Sequence, residues 1–314
     1  MKKEVKKLCV SACIIIVSLI AVDITWGVIA DKLMQKVPYY GSDIAKEKYA
    51  LRGINQDIMI FGSSRALTHF VPSILKDSID TYLHKNYTIY NGGIDKKTLD
   101  CNLMLIENSI NRGVKGKLVV LEADNVLFYR DNSNVYDFAQ FYKSDTIVKR
   151  YIDNLGFNTK LRMQSNLYRF NFRLSRVLLD IIKNAKPNDG YAPQYKVMKI
   201  QKRPQLNDKK STLNDYTYSI FVRVMDMCKK NNVNIVVVSA PRYGNNHNTQ
   251  AEQEHVLYNI CKEKNIPYFN MVDEPQFDQH PELFKDAGHL NDSGARIFTK
   301  MFFEKLKPYL DSMK

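Results

Sequence analysis

Residues 57–70 read DIMIFGSSRALTHF. Four strand-forming residues, Ile58 to Phe61, run straight into Gly62-Ser63-Ser64 and then into a polar, helix-compatible segment. An unbroken apolar run, as opposed to an alternating one, implies burial on both faces, the condition of a strand inside a parallel sheet. A strand that stops at Gly-Ser-Ser has two meanings. It is a tight turn, or it is a turn that holds a serine hydroxyl at the carboxyl edge of the sheet, where open α/β proteins bind their ligands.

Four more short apolar runs follow, at residues 87–90, 118–121, 235–238 and 267–269. Helical spacing fills the gaps: Leu99, Leu103, Ile106 and Ile110, then Ile220, Val224 and Met227, and finally Ile297, Met301 and Leu306. Strands alternating with helices predict a five-stranded parallel sheet covered on both faces. The alternation breaks once, over residues 125–213, which reads as a helical insertion capping the sheet's edge. One helix is expected there, with Leu167, Phe170, Leu174, Leu178 and Ile181 inward and Arg169, Arg173 and Arg176 on an adjacent face. That basic stripe is a solvated face or a contact for lipid headgroups or an acidic glycan.

The unusual residues gather at the predicted carboxyl edges. The second strand ends in Asn91-Gly92-Gly93 and the third in Glu122-Ala123-Asp124-Asn125. Before the last helix stands DAGHLNDSGARIF, residues 286–298, with Asp286 three positions ahead of His289. A serine hydroxyl attacks a carbonyl only when a base removes its proton, and histidine titrates in the useful range. A carboxylate at the other ring nitrogen fixes the tautomer and stabilises the imidazolium. Backbone N–H groups at Ser64 and Gly93 are candidates for holding the oxyanion, glycine allowing close approach. His69 reads as a surface or packing residue, and Arg65 as a group that steers an anionic substrate or caps the turn.

In order and placement these blocks resemble the SGNH (GDSL-like) hydrolase superfamily, over roughly residues 55 to 310. The resemblance implies a flavodoxin-like three-layer α/β fold. It makes Ser64 the nucleophile, His289 the base, Asp286 its orienting partner and Gly93 an oxyanion donor. Ser63 stands where that family usually has aspartate, as in membrane-anchored Gly-Ser-Ser relatives. The family's asparagine block departs here, for Asp124 takes the asparagine position and Asn125 comes one residue later. A carboxylate beside a developing oxyanion would repel it, so either Asn125 turns inward or the hole has fewer donors.

The N-terminus is basic, MKKEVKK, and residues 8–30 are mostly apolar. At about 1.5 Å per residue that length crosses a hydrocarbon core of about 30 Å. The lysines stay cytoplasmic by the positive-inside rule, which puts the rest of the chain outside. A retained anchor is expected over a cleaved signal peptide, though Val28 and Ala30 fit a cleavage rule. Asp23 within it reaches the interface or meets a partner helix. The expected organisation is thus a tail at 1–7, an anchor at 8–30, a connector at 31–54 and an SGNH-like domain at 55–314.

The chain carries a net charge of +13 over 314 residues, which favours anionic surfaces. Zinc-finger spacing, P-loop and GxGxxG are all missing, so neither nucleic acid nor a nucleotide is an expected partner. Cys9 and Cys13 fall in the anchor, while Cys101, Cys228 and Cys261 are isolated, which predicts free thiols, no metal and no cofactor. The expected function is a membrane-anchored, extracytoplasmic serine esterase or O-acyltransferase of a bacterial cell-surface glycan, with a multispanning acyl-donor protein as partner. The alternative is a catalytically impaired glycan-binding or assembly factor that keeps the fold.

Overall fold

The computed structural model describes residues 2–114, 116–124, 133–171, 173–183, 185–199, 214–243 and 247–311, the side chains of 247–255 excepted. In chain order, α1 (Lys2–Lys36) and α2 (Asp43–Arg52) precede β1 (Ile58–Phe61), α3 (Ser64–His69), α4 (Pro72–Leu83) and β2 (Ile89–Asn91). Next come α5 (Leu99–Asn111), β3 (Leu118–Glu122), α6 (Thr146–Asp153), α7 (Phe157–Arg162), α8 (Asn166–Arg169) and α9 (Leu174–Lys183). The chain closes with α10 (Asp215–Lys230), β4 (Asn234–Ser239), α11 (His247–Lys264) and β5 (Tyr268–Asn270), then β6 (Phe284–Asp286), β7 (His289–Leu290) and α12 (Asp292–Asp311). It divides into two compact units, Met1–Ala45 with Val135–Lys186, and Lys46–Asn134 with Pro187–Lys314.

The second unit holds the sheet. Its five strands are all parallel, in the order β2-β1-β3-β4-β5. Successive side chains point to opposite faces. Ile58, Ile60, Val120, Val236 and Val238 therefore meet Phe70, which follows α3, Leu75 and Ile79 of α4, and Phe298 and Phe302 of α12 in one core. Phe70 packs edge-to-face on Phe298 and Phe302, at centroid distances of 5.0 and 5.3 Å, an arrangement the ring quadrupoles favour. On the other face α5 packs against α10, with Leu103, Phe221 and Val224 buried. Pro72 opens α4, where a missing N–H costs nothing, and His84 closes it in the left-handed conformation. Strand order reverses direction at β1, between β2 and β3, and the carboxyl ends there frame the crevice where such sheets bind ligands.

Part of the expected cap belongs to this same unit. Residues 187–199 form no helix or strand and run along the carboxyl edge. Asp189 C=O accepts from Asn91 N–H at 2.8 Å, and Ala192 N–H donates to Leu67 C=O at 3.0 Å. Farther on, Gln194 C=O accepts from Asp292 N–H at 2.7 Å, and Met198 N–H donates to Phe284 C=O at 2.8 Å. Met198 is buried in the core. The segment straps β2, α3 and the β6–α12 region together.

In the first unit, Asp145 caps α6 by accepting from Ile147 and Val148 N–H at 3.0 and 2.9 Å. The single helix expected over 167–181 is corrected to two, α8 and α9. The chain turns between them, Arg173 N–H bonding Phe170 C=O. The break shifts the inward stripe, so Val177 and Asp180 are buried while Leu167 and Leu178 are exposed. Asp180 accepts from Ser42 and Ala45 N–H at 2.7 and 3.1 Å. The three arginines differ: Arg169 is buried, Arg173 pairs with Asp137 and Arg176 with Asp43. Helix α1 extends to Lys36, past the expected end of the apolar run, and is long and apolar enough to cross a membrane.

Candidate active site

β1 ends at Phe61, and the chain turns at once into α3, whose first residue is Ser64. Glycine at 62 answers a packing demand: a Cβ there would lie 2.6 Å from Ala66 Cβ and 2.9 Å from Glu122 Cβ. Ser63 is extended and precedes the helix. Ser64 is half-buried, and its N–H, in the first turn, has no acceptor within the helix.

Asp286 and His289 face each other across the β6–β7 hairpin, a short antiparallel pair. His289 Nδ1–H donates to Asp286 Oδ1 at 2.8 Å, and Ser64 Oγ–H donates to His289 Nε2 at 2.7 Å. Gly288 N–H adds a bond of 2.9 Å to the same Asp286 oxygen. Partial burial pushes the Asp286 carboxyl up. The hydrogen bond and charge of His289, with Gly288 N–H, outweigh that and hold it below the usual carboxylate range. The chain thus brings together a hydroxyl, an imidazole and a carboxylate in the order that proton transfer from serine requires.

His69 locks this arrangement from behind. It is fully buried, and its Nε2 accepts from Leu290 N–H at 3.0 Å, which places the ring proton on Nδ1. Leu290 is the neighbour of His289, so α3 fixes both Ser64 and the hairpin that carries His289. Burial, and then the charges of Arg65, His289 and Arg242, drive the His69 pKa well below its usual value. Thr299 Oγ–H bonds His69 C=O at 3.2 Å and accepts from Val71 N–H at 3.0 Å, tying α3 to α12.

Three expectations are corrected. Arg65 is not a solvent-facing steering group. It is buried, with its guanidinium 3.0 Å from Glu122 Oε1 and 2.8 Å from Asp124 Oδ2. Asp124 also pairs with Arg242, which follows β4. Two cations thus offset two carboxylates, and Asp124 is one member of a buried neutral cluster, not a bare charge beside the serine. Burial first, then Arg65, brings Arg242 down to about 9 against the pull of Glu122, which leaves it charged at neutral pH.

The third correction concerns Gly93. Its N–H is engaged, donating to Asn91 Oδ1 at 3.0 Å. What glycine supplies is proximity, since a Cβ there would stand 2.4 Å from Leu67 N. Asn91 Nδ2 in turn donates to Ala66 and Phe70 C=O at 2.7 and 3.0 Å, closing the carboxyl end of α3. Asn125 lies outside the described residues.

The sequence offered no direct sign of His69 as a brace or of Arg242 as a counter-charge. Arg242 stands just past the fourth apolar run, at the same edge as the other blocks, and that position was the available signal. Among the described residues no group of three or more His, Cys, Asp or Glu is placed to hold a metal.

No protein-family model and no curated protein sequence matches the chain. Among solved structures, a putative acylhydrolase from Bacteroides fragilis NCTC 9343 is similar at 12% identity. That match covers 82% of this chain and 88% of the other, with a TM-score of 0.37. An acetyl xylan esterase is similar at 12% identity over 79% of this chain and 99% of its own, with a TM-score of 0.42.

Proposed function

We propose that the chain is a serine esterase or O-acyltransferase of SGNH type, anchored by α1 and facing outward from a bacterial cytoplasmic membrane. The observation that carries this reading is the continuous hydrogen-bond chain from Ser64 through His289 to Asp286. In the forward step Ser64 Oγ bonds the ester carbonyl carbon as its proton passes to His289 Nε2. Asp286 stabilises the imidazolium that results. The imidazolium then protonates the departing alcohol, the carbon–oxygen bond breaks, and the acyl group remains on Ser64. Water completes an esterase cycle; a sugar hydroxyl completes a transferase cycle, with His289 again taking the proton.

Ser64 N–H is the donor assigned to the oxyanion, and one such donor supplies about 3 kcal/mol. Arg65 and Arg242 spare that oxyanion the repulsion of Asp124. The substrate class is an acyl ester of a cell-surface glycan, which the positive charge suits when the polymer is anionic. An acyl-transferring protein of the same membrane is the partner. A second reading, a glycan-binding or assembly factor that keeps the fold without catalysis, draws on the engaged N–H of Gly93.

Labelling with a fluorophosphonate separates the two. The full-length chain is expected to form one covalent adduct, located at Ser64 by peptide mass spectrometry and lost in Ser64→Ala. A correctly folded sample that takes up no probe is the binding factor.

A further inference from the structure

In α1, residues 8–22 are all exposed, and at about 1.5 Å each they reach only about 22 Å, short of a hydrocarbon core of about 30 Å. A crossing by α1 must therefore run on past Asp23 toward Ala30, which takes a carboxylate into the outer part of the hydrocarbon. An unpaired charge at that depth is costly. Asp23 is not unpaired. Its oxygens accept from Ser165 Oγ–H at 2.7 Å, Asn166 and Leu167 N–H at 2.9 Å, and Asn166 Nδ2 at 3.0 Å. One turn on, Gly27 lets Asn166 come so close that a Cβ would sit 2.5 Å from its side chain. Asp23, Gly27, Ala30 and Met34 form one stripe, and α1 packs along it against α8 and α9.

Those bonds fix depth. Residues 165–167 stand level with Asp23, so the helices on either side of them cannot lie far out in water. Both carry bare apolar residues: Phe157 (77% exposed) and Leu161 on α7, Leu179 and Ile182 (78% exposed) on α9. Exposed Lys160, Arg162, Lys183 and Lys186 border them. In water such surface is an association hazard. In a bilayer interface it is the expected composition, apolar side chains among acyl chains and long cationic ones reaching lipid phosphates.

We infer that α7 and α9 lie in the lipid interface at the outward end of α1, a second membrane contact that seats the first unit on the bilayer. The occupant is phospholipid, because α9 packs directly on α1, whose own exposed residues 8–22 are mostly apolar, and the basic rim matches anionic headgroups. This rests on α1 being a retained anchor.

The single tryptophan of the chain, Trp26, allows both points to be read apart. The full-length protein is reconstituted in phosphatidylethanolamine–phosphatidylglycerol vesicles with lipids brominated just below the glycerol. Wild-type Trp26 reports the anchor. Ile182→Trp and Phe157→Trp, each in a Trp26→Phe background and checked by circular dichroism, report α9 and α7. All three indoles are expected to lose most of their emission to the brominated lipid. Quenching of Trp26 without quenching at 182 and 157 overturns the inference and leaves the anchor. That outcome with blue-shifted emission points to a protein partner or second copy on the face. An unquenched Trp26 overturns the anchor, and the inference falls with it.

Discussion

Ser64, His289 and Asp286 are joined by two hydrogen bonds of 2.7 and 2.8 Å, but what holds them is a fourth residue. His69 pins the backbone next to His289, and the pinning has a pH signature. The unfolded chain binds a proton at His69 near pH 6.5. The folded chain resists it, because burial and then the charges of Arg65, His289 and Arg242 lower the pKa well below that. Below about pH 6.5 the unfolded state therefore binds more protons, and this contribution to stability falls as pH falls. His69→Gln keeps an acceptor for Leu290 N–H and has no proton to gain. Its melting temperature is expected to drop less between pH 7 and pH 5 than that of the wild type; an equal drop would exclude the role. Asp286 has the usual carboxylate sign, its lowered pKa adding stability above its unfolded value that disappears only in stronger acid. The serine, histidine and aspartate were legible because each sits in a short local motif at a predicted strand edge. The surroundings of Arg65 were not, since its partners Glu122 and Asp124 come from the end of β3 and the residues just past it, and only folding brings them to it.

At the scale of elements, burial on both faces made the strands readable. Unbroken runs such as Leu118 to Leu121 and Ile235 to Val238 lie inside β3 and β4. The second strand shifted, from 87–90 to Ile89–Asn91, because Tyr87 and Thr88 spend their N–H groups on Asp80 and Asp57. The inserted helix was misread for a different reason. Its apolar residues fit one helical period, but Ser165 and Asp23 fix a separate start for α8, and the break before α9 resets the phase. The loop Asn91-Gly92-Gly93 joins this scale to the site. It lies so close to α3 that Gly93→Ala, with its Cβ 2.4 Å from Leu67 N and 2.9 Å from the carbonyl carbon of Ala66, must push the helix bearing Ser64. Overpacking of this kind costs about 1–3 kcal/mol. Gly93→Ala is expected to lower the free energy of unfolding by that amount, read as a lower denaturant midpoint at unchanged slope, and to slow fluorophosphonate labelling. Unchanged stability would mean the loop yields freely.

For the molecule as a whole, the sheet unit works by bringing the two ends of its sequence together. Ser64 follows the first strand and His289 precedes the last helix, 225 positions apart, and parallel order with carboxyl ends on one edge makes them neighbours. The exposed N-terminal helix and the Asp23 contacts belong to the other unit, and no sequence motif announced the Ser165–Leu167 partner of Asp23. The central claim is that the distant serine and histidine act as one device. Residues that act as a unit lose activity non-additively, whereas independent contributions multiply. Hydrolysis of p-nitrophenyl acetate by the full-length protein, followed as kcat/KM, is the direct measurement. Ser64→Ala and His289→Ala are each expected to abolish most of the rate, and the double variant to be no slower than either alone. Independent, multiplying losses, or a Ser64→Ala variant as active as the wild type, would contradict it.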